Sequence, residues 1–275
     1  MKSNILKNEI LKLCLLMNNL KRIIGFSLRE IIDIFFWFKV PQGNFKKDGV
    51  ATVKNFLDKE LCDELKNIAD KIFEDKSNLS PDSWINEREK ETEGKIDTKV
   101  KAIFSFEKNS EVLEQFINSN LLQETFENEL GYELVLRNCC LQYDEPDTFT
   151  KRSFHTDNNP PPSFKAFIYL TDVDDLINGP FTVIKGTHKK ARYLRIKNVI
   201  YNLRNNLPTT NMDNFVPEIE ETAFCGKKGD LIMSTQTLFH RGNPKHAEKT
   251  RYVLIFYFSL KKHGPYPEFN LGKTS

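Results

Sequence analysis

The chain has 275 residues, 39% of them hydrophobic and 12% aromatic, which is enough apolar material for a full core and excludes a disordered chain. Its 40 basic and 38 acidic residues leave a formal charge of +2, so the molecule as a whole carries no electrostatic footprint for nucleic acid. The five cysteines, Cys14, Cys62, Cys139, Cys140 and Cys225, lack a CxxC pair, which predicts free thiols in a reducing cytoplasm and argues against a cysteine-built zinc site.

Charge is segregated at the start of the chain: residues 1–47 carry a net +6 and the remainder −4. Leu6, Ile10, Leu13, Met17, Leu20 and Ile24 recur at alternating spacings of four and three, the stripe of an amphipathic helix. Gly25 is expected to end it, and Ser27 with Glu30 reads as a capping box opening a second helix through Ile31 to Phe38. No apolar run reaches the roughly 18 residues that span a bilayer, and the segment does not resemble a cleavable signal peptide. Two readings of residues 1–44 stay open: the helices pack on the rest of the chain or on a second subunit, or they dock peripherally on an anionic membrane surface.

From residue 45 the pattern changes. Gly49 to Val53 reads as a short strand, followed by a helix with Asp58 as N-cap and apolar positions Leu61, Leu65, Ile68 and Ile72. Residues 74–101 are highly charged without a sustained period, which predicts a long surface loop or lid. Ser110 to Leu130 is expected to be helical. The period then becomes two, with strands expected at Glu133 to Tyr143, Phe164 to Val173, Pro180 to Gly186, Ala223 to Gly226, Gly229 to Thr235 and Arg251 to Leu260. Short strands without alternating helices predict a sandwich or closed barrel, so the fold class is mainly β with flanking helices, α+β. Residues 189–221 read as a polar insertion, and 263–275 as a tail.

The chemistry sits in this second half. "FHTD" places His155 two residues before Asp157, and "FHRGNP" places His240 just beyond a later strand. Two imidazoles and one carboxylate on one face of a metal leave open positions, an arrangement that suits non-haem Fe(II). Arg251, eleven positions after His240 at the start of the last strand, is placed to hold a remote carboxylate through a bidentate pair. Lys165 and Lys185 are the next cations to consider for that role.

In this order and spacing the sequence resembles the phytanoyl-CoA dioxygenase family of Fe(II)/2-oxoglutarate oxygenases. "FKKDGVATVKNFLDKEL" is similar to its first strand and helix, "FHTD" to its HxD, "YLTDVDDLINGPFTVIKGTHK" to its strand, Asn-Gly turn and Gly-Ser/Thr-His signature, and "FHRGNP" with Arg251 to its distal histidine and co-substrate arginine. The resemblance covers residues 45–260, inside an oxygenase domain expected over 45–262. It implies a double-stranded β-helix, the cupin-like jelly roll, with iron on His155, Asp157 and His240 and the far carboxylate of 2-oxoglutarate on Arg251. It also points to Gln142, and less directly to Asn138, as co-substrate contacts. By this resemblance His188 is structural, while His246 and His263 are expected on the surface. Two positions depart from the family pattern: Lys185 stands where a Pro is usual, and Gly242 where a hydroxyl residue often sits near the co-substrate. Asp157 is intact, which favours hydroxylation over the halogenation of relatives that replace this carboxylate.

The implied reaction consumes O2 and 2-oxoglutarate, releases succinate and CO2, and oxidises a C–H bond of a small-molecule substrate; the basic N-terminus suits a lipid or a lipid-linked saccharide. Two other readings stay open: a jelly-roll module that binds metal and ligand without turnover, and a cupin-type metal-dependent isomerase or hydrolase in which Arg251 grips substrate. Succinate release separates them.

Overall fold

The computed structural model describes residues 2–92, 95–145, 154–157, 163–205, 220–243 and 249–263. Among the described residues, ten strands form two sheets. The larger contains β1 (Val50–Val53), β2 (Trp84–Thr92), β3 (Lys95–Phe104), β4 (Leu134–Asp144), β5 (Ser163–Tyr169), β8 (Leu231–Thr235) and β10 (Arg251–Leu260), in the order β1-β8-β5-β10-β4-β3-β2. The smaller is β7 (Thr222–Phe224), β6 (Phe181–Ile184) and β9 (Phe239–Gly242), in the order β7-β6-β9. All pairings in both sheets are antiparallel.

The central strand shows why the sheets stack. All ten residues of "RYVLIFYFSL" in β10 are buried, so the strand is covered on both faces. Tyr252, Leu254, Phe256, Phe258 and Leu260 join a core with the helices, which include α3 (Lys59–Glu74), α4 (Glu111–Asn118) and α5 (Leu121–Leu130). Val253, Ile255 and Tyr257 point the other way, into a second cluster with Phe167, Tyr169, Phe181 and Val183 beneath the small sheet. The jelly-roll expectation is therefore met, and the second cluster lines the interior that carries the chemistry.

Four local expectations are corrected. Residues 2–39 form one uninterrupted helix, α1 (Lys2–Lys39), so Gly25 does not end a helix. A mid-helix Gly costs only about 1 kcal/mol. Ser27 is no cap either, because its hydroxyl donates back to the Ile23 carbonyl at 2.9 Å. Residues 74–101 are not a surface loop: most of them build the β2–β3 hairpin, whose second strand pairs with β4. The single helix expected over 110–130 is split at Asn120, which takes the left-handed conformation at φ 59°. The 189–221 segment holds α7 (Arg192–Arg204), while 206–219 lie outside the described residues, as does most of the 263–275 tail.

Helix α1 is tied to the domain by a buried ionic seam. Arg195 on α7, 1% exposed, forks onto both oxygens of Glu30 at 2.7 and 2.6 Å. Glu30 is thus an ion-pair partner rather than half of a capping box. Asp33 accepts from Trp37 Nε1 and from Arg192; its burial, opposed by the two arginines, raises its pKa to about 6. Trp37 packs on the His188 ring at 4.3 Å between centroids. The outward face of the same helix is apolar: Met17, Leu20, Ile24, Leu28, Ile31, Phe35 and Phe38 are all exposed, Phe35 by 67% and Phe38 by 75%. For Leu6, Ile10 and Leu13 of the expected stripe the side chains lie outside the described residues.

Candidate active site

Two Phe-His dipeptides build the site. Phe154 and Phe239, each immediately before a histidine, are buried in one small cluster with Ile184 and Ala191. Their backbones pair through reciprocal 3.0 Å bonds between His155 and His240, an isolated antiparallel bridge. This pairing sets the two imidazoles side by side, 4.4 Å between centroids. The Asp157 amide donates to the Gln236 carbonyl at 3.1 Å, and the Gln236 amide to the Ser163 carbonyl, which fixes the carboxylate against the end of β5.

Ligand atoms of His155, Asp157 and His240 come within 4.8 Å of one another. His240 Nε2 lies 3.5 Å from Asp157 Oδ2, close to the roughly 3 Å spacing of two ligands held at a right angle about 2.1 Å from one ion. The other ring nitrogen of His240 is 2.8 Å from the Leu238 carbonyl, so Nδ1 carries the proton and Nε2 keeps its lone pair. Burial, helped by the neighbouring His155, pushes the His240 pKa down to about 3, which holds the ring neutral. Burial works against the charge of Asp157, but the Lys165 ammonium beside it outweighs this and holds the carboxyl well below the usual range. Two imidazoles, that of His240 held neutral, and an ionised carboxylate, clustered where His240 is buried and the other two are half-buried, form a donor set that fits Fe(II).

Strand alternation supplies the rest of the interior. On β4 the side chains of Cys140, Gln142 and Asp144 face inward, on β5 Lys165, Phe167 and Tyr169, and on β10 Arg251, Val253, Ile255 and Tyr257. Arg251 and Asp144 are register partners, and Arg251 donates from Nε at 2.7 Å and from Nη2 at 2.5 Å to one Asp144 oxygen. Gln142 Nε2 lies 3.1 Å from both Asp144 oxygens, so Arg251 and Gln142 meet at this carboxylate. The sequence reading missed Asp144, whose only signal there is its position two after Gln142. Asn138 is buried, with its amide engaged by Ser105. His188 is fully buried away from the cluster: Nε2 lies 3.2 Å from the Lys46 carbonyl, and a Cβ on Gly49 would stand 2.5 Å from its Nδ1. His246 lies outside the described residues, as does the side chain of His263.

A family model described as phytanoyl-CoA dioxygenase matches residues 45–253. Among solved structures, the chain is similar to the non-heme alpha ketoglutarate dependent carbocyclase SnoK from nogalamycin biosynthesis, at TM-score 0.59 and 14% identity over 78% of this chain and 81% of that one. It is also similar to EctD from S. alaskensis with bound Fe, at TM-score 0.58 and 18% identity over 82% and 78%. HygX from Streptomyces hygroscopicus with nickel and 2-oxoglutarate bound aligns at TM-score 0.50 and 14% identity over 78% and 84%. These likenesses carry the fold. No curated protein matches the chain.

Proposed function

Because the chain belongs to the phytanoyl-CoA dioxygenase family, we propose that His155, Asp157 and His240 are its iron ligands and that Arg251, steadied by Asp144, holds the far carboxylate of 2-oxoglutarate. The protein is a 2-oxoglutarate-dependent non-haem iron dioxygenase with Fe(II) and 2-oxoglutarate as its cofactor and co-substrate. Bound together, these supply the oxidising power, with O2 consumed and succinate and CO2 released. The chain's own part is positional. Leu238 keeps His240 in the metal-binding tautomer, and the Gln236 backbone holds Asp157 in place. Phe181, 5.5 Å from the His240 ring and 4.4 Å from Phe167, helps to wall the site from water. We assign the outcome as hydroxylation of an unactivated C–H bond. The observation that carries this reading is the convergence of two imidazoles and a carboxylate inside the barrel. Succinate formation from 2-oxoglutarate, dependent on Fe(II), air and Asp157, tests it; a binding module or a cupin-type isomerase forms none.

We further infer that α1 docks the enzyme on an anionic membrane surface. No described helix is long and apolar enough to cross a membrane. The outward stripe from Met17 to Phe38 is flanked by exposed Lys21, Arg22, Arg29 and Lys39, while Glu30 and Asp33 are buried inward. A second copy of the same basic face would be repelled, whereas anionic lipid gains about 1 kcal/mol per cation near it. Such placement suits a lipid or a lipid-linked saccharide as substrate. Sedimentation with phosphatidylserine vesicles checks it: wild type pellets at low salt, and the Phe35→Ser/Phe38→Ser variant, which leaves Glu30 and Trp37 in place, stays in solution. Equal behaviour of the two proteins contradicts the docking.

A further inference from the structure

Lys165 is a cation set into an otherwise apolar inward row. Its side chain is 13% exposed, with Nζ 2.6 Å from Asp157 Oδ2 and 5.2 Å from the centre of the Tyr257 ring. An ammonium at that depth requires an anion. Asp157 serves while its carboxylate is not shared. On the iron-ligand assignment above, on which this inference rests, that one negative charge must also serve a dication, and the two imidazoles add none. One carboxylate of 2-oxoglutarate restores charge at the metal, and the other is directed to Arg251. The ammonium would then share Asp157 with the dication, and no second carboxylate pairs with it among the described residues.

The register shows which side of the metal this ammonium faces. Lys165 pairs with Tyr257 across β5 and β10, and Arg251 lies six residues away along the same strand, about 20 Å between Cα atoms at 3.4 Å per residue. A co-substrate running from the metal toward Arg251 would leave the Lys165 flank, beside Tyr257 on β10 and on the same face of β5 as Phe167, unclaimed among the described residues. We propose that Lys165 binds an anionic group of the prime substrate, a carboxylate or a phosphate, and thereby fixes which carbon is presented for oxidation. A dication held by Asp157 would weaken that carboxylate's hold on the ammonium, so this anchor would be strongest when the site is loaded.

The test uses full-length protein loaded with Ni(II) and 2-oxoglutarate, titrated calorimetrically with octanoate, octyl phosphate and octan-1-ol. The expected result is that octanoate or octyl phosphate binds wild type at least about tenfold tighter than the alcohol, the size of one charge-assisted hydrogen bond. Lys165→Met should erase that preference and Lys165→Arg keep part of it, with 2-oxoglutarate affinity held and Ni(II) affinity unchanged or higher. Which anion binds better distinguishes a carboxylate substrate from a phosphorylated one. The proposal is overturned if wild type binds neither anion better than the alcohol, or if Lys165→Met keeps the same preference. It is also overturned if that variant loses about tenfold in 2-oxoglutarate affinity, because Lys165 would then be the co-substrate clamp. A wild type that takes up neither Ni(II) nor 2-oxoglutarate sinks the oxygenase assignment itself, so the two failures are distinguishable.

Discussion

Replacing Glu30 with Gln removes the carboxylate that both oxygens commit to Arg195, leaving a guanidinium that is 1% exposed with backbone carbonyls as its direct partners. Breaking one side of a buried ion pair costs about 3–5 kcal/mol, whereas replacing both sides by apolar residues is close to neutral. Glu30→Gln should therefore lower stability by about that amount, and Glu30→Met/Arg195→Met should recover most of it. Urea unfolding followed by tryptophan fluorescence reads both, since Trp37 packs on His188 beside the pair. The effect should also reach the site. Arg195 Nη1 donates to the Thr187 carbonyl at 2.6 Å, and the Thr187 hydroxyl accepts from the amide of Phe239, next to His240. Fe(II) affinity should fall with stability in the single variant. A loss below about 1 kcal/mol in Glu30→Gln, or a double variant as unstable as the two single losses combined, would refute the reasoning.

Three further outcomes follow from named contacts. Arg251→Lys keeps the charge but loses the fork, and should raise the 2-oxoglutarate concentration needed for half-maximal turnover about tenfold with Fe(II) binding unchanged; unchanged co-substrate dependence contradicts the clamp. Arg251→Gln should in addition destabilise the fold by about 3–5 kcal/mol by stranding buried Asp144, and Asp144→Asn in the same chain should restore part of that; equal melting of the single and double variants contradicts the pairing. Burial, with the Lys189 charge adding to it, holds His188 down to about 3 against an ordinary 6.5. The unfolded chain therefore binds a proton that the folded ring refuses between those values. The stabilising effect of the neutral ring is complete above pH 6.5 and is lost as pH falls toward 3, with a slope of up to about 1.4 kcal/mol per unit. His188→Gln should flatten the wild-type slope there, and an identical slope would contradict this assignment.

The elements with a sharp local period were legible. β10 runs over the expected Arg251 to Leu260, and β4, β5, β6 and β8 lie within a few residues of their expected positions. The His155, Asp157 and His240 grouping was legible for a different reason: few residue types bind metal, and an HxD pair followed by a histidine just beyond a later strand matches the family pattern in order. What failed depended on partners remote in sequence. "WINEREKET" has apolar residues only at its start, since an edge strand needs little buried face, and β2 is recognisable only once β3 is laid beside it. Glu30 looked like half of a cap because its real partner, Arg195, lies 165 positions on. The stripe on α1 was visible, but a period does not say which side faces the core. Lys165 was visible only as a spare cation: its neighbour Asp157 lies just eight positions before it, but strand alternation and the turn between them decide whether the two meet.

The most direct measurement of the central claim is succinate formed in a single turnover: protein is loaded anaerobically with Fe(II) and 2-oxoglutarate, opened to air and quenched. Wild type should form succinate only when iron is present, and Asp157→Ala and His240→Ala should form none while remaining folded. Succinate formed equally without iron, or undiminished in both variants, would contradict the assignment of these residues as the iron ligands.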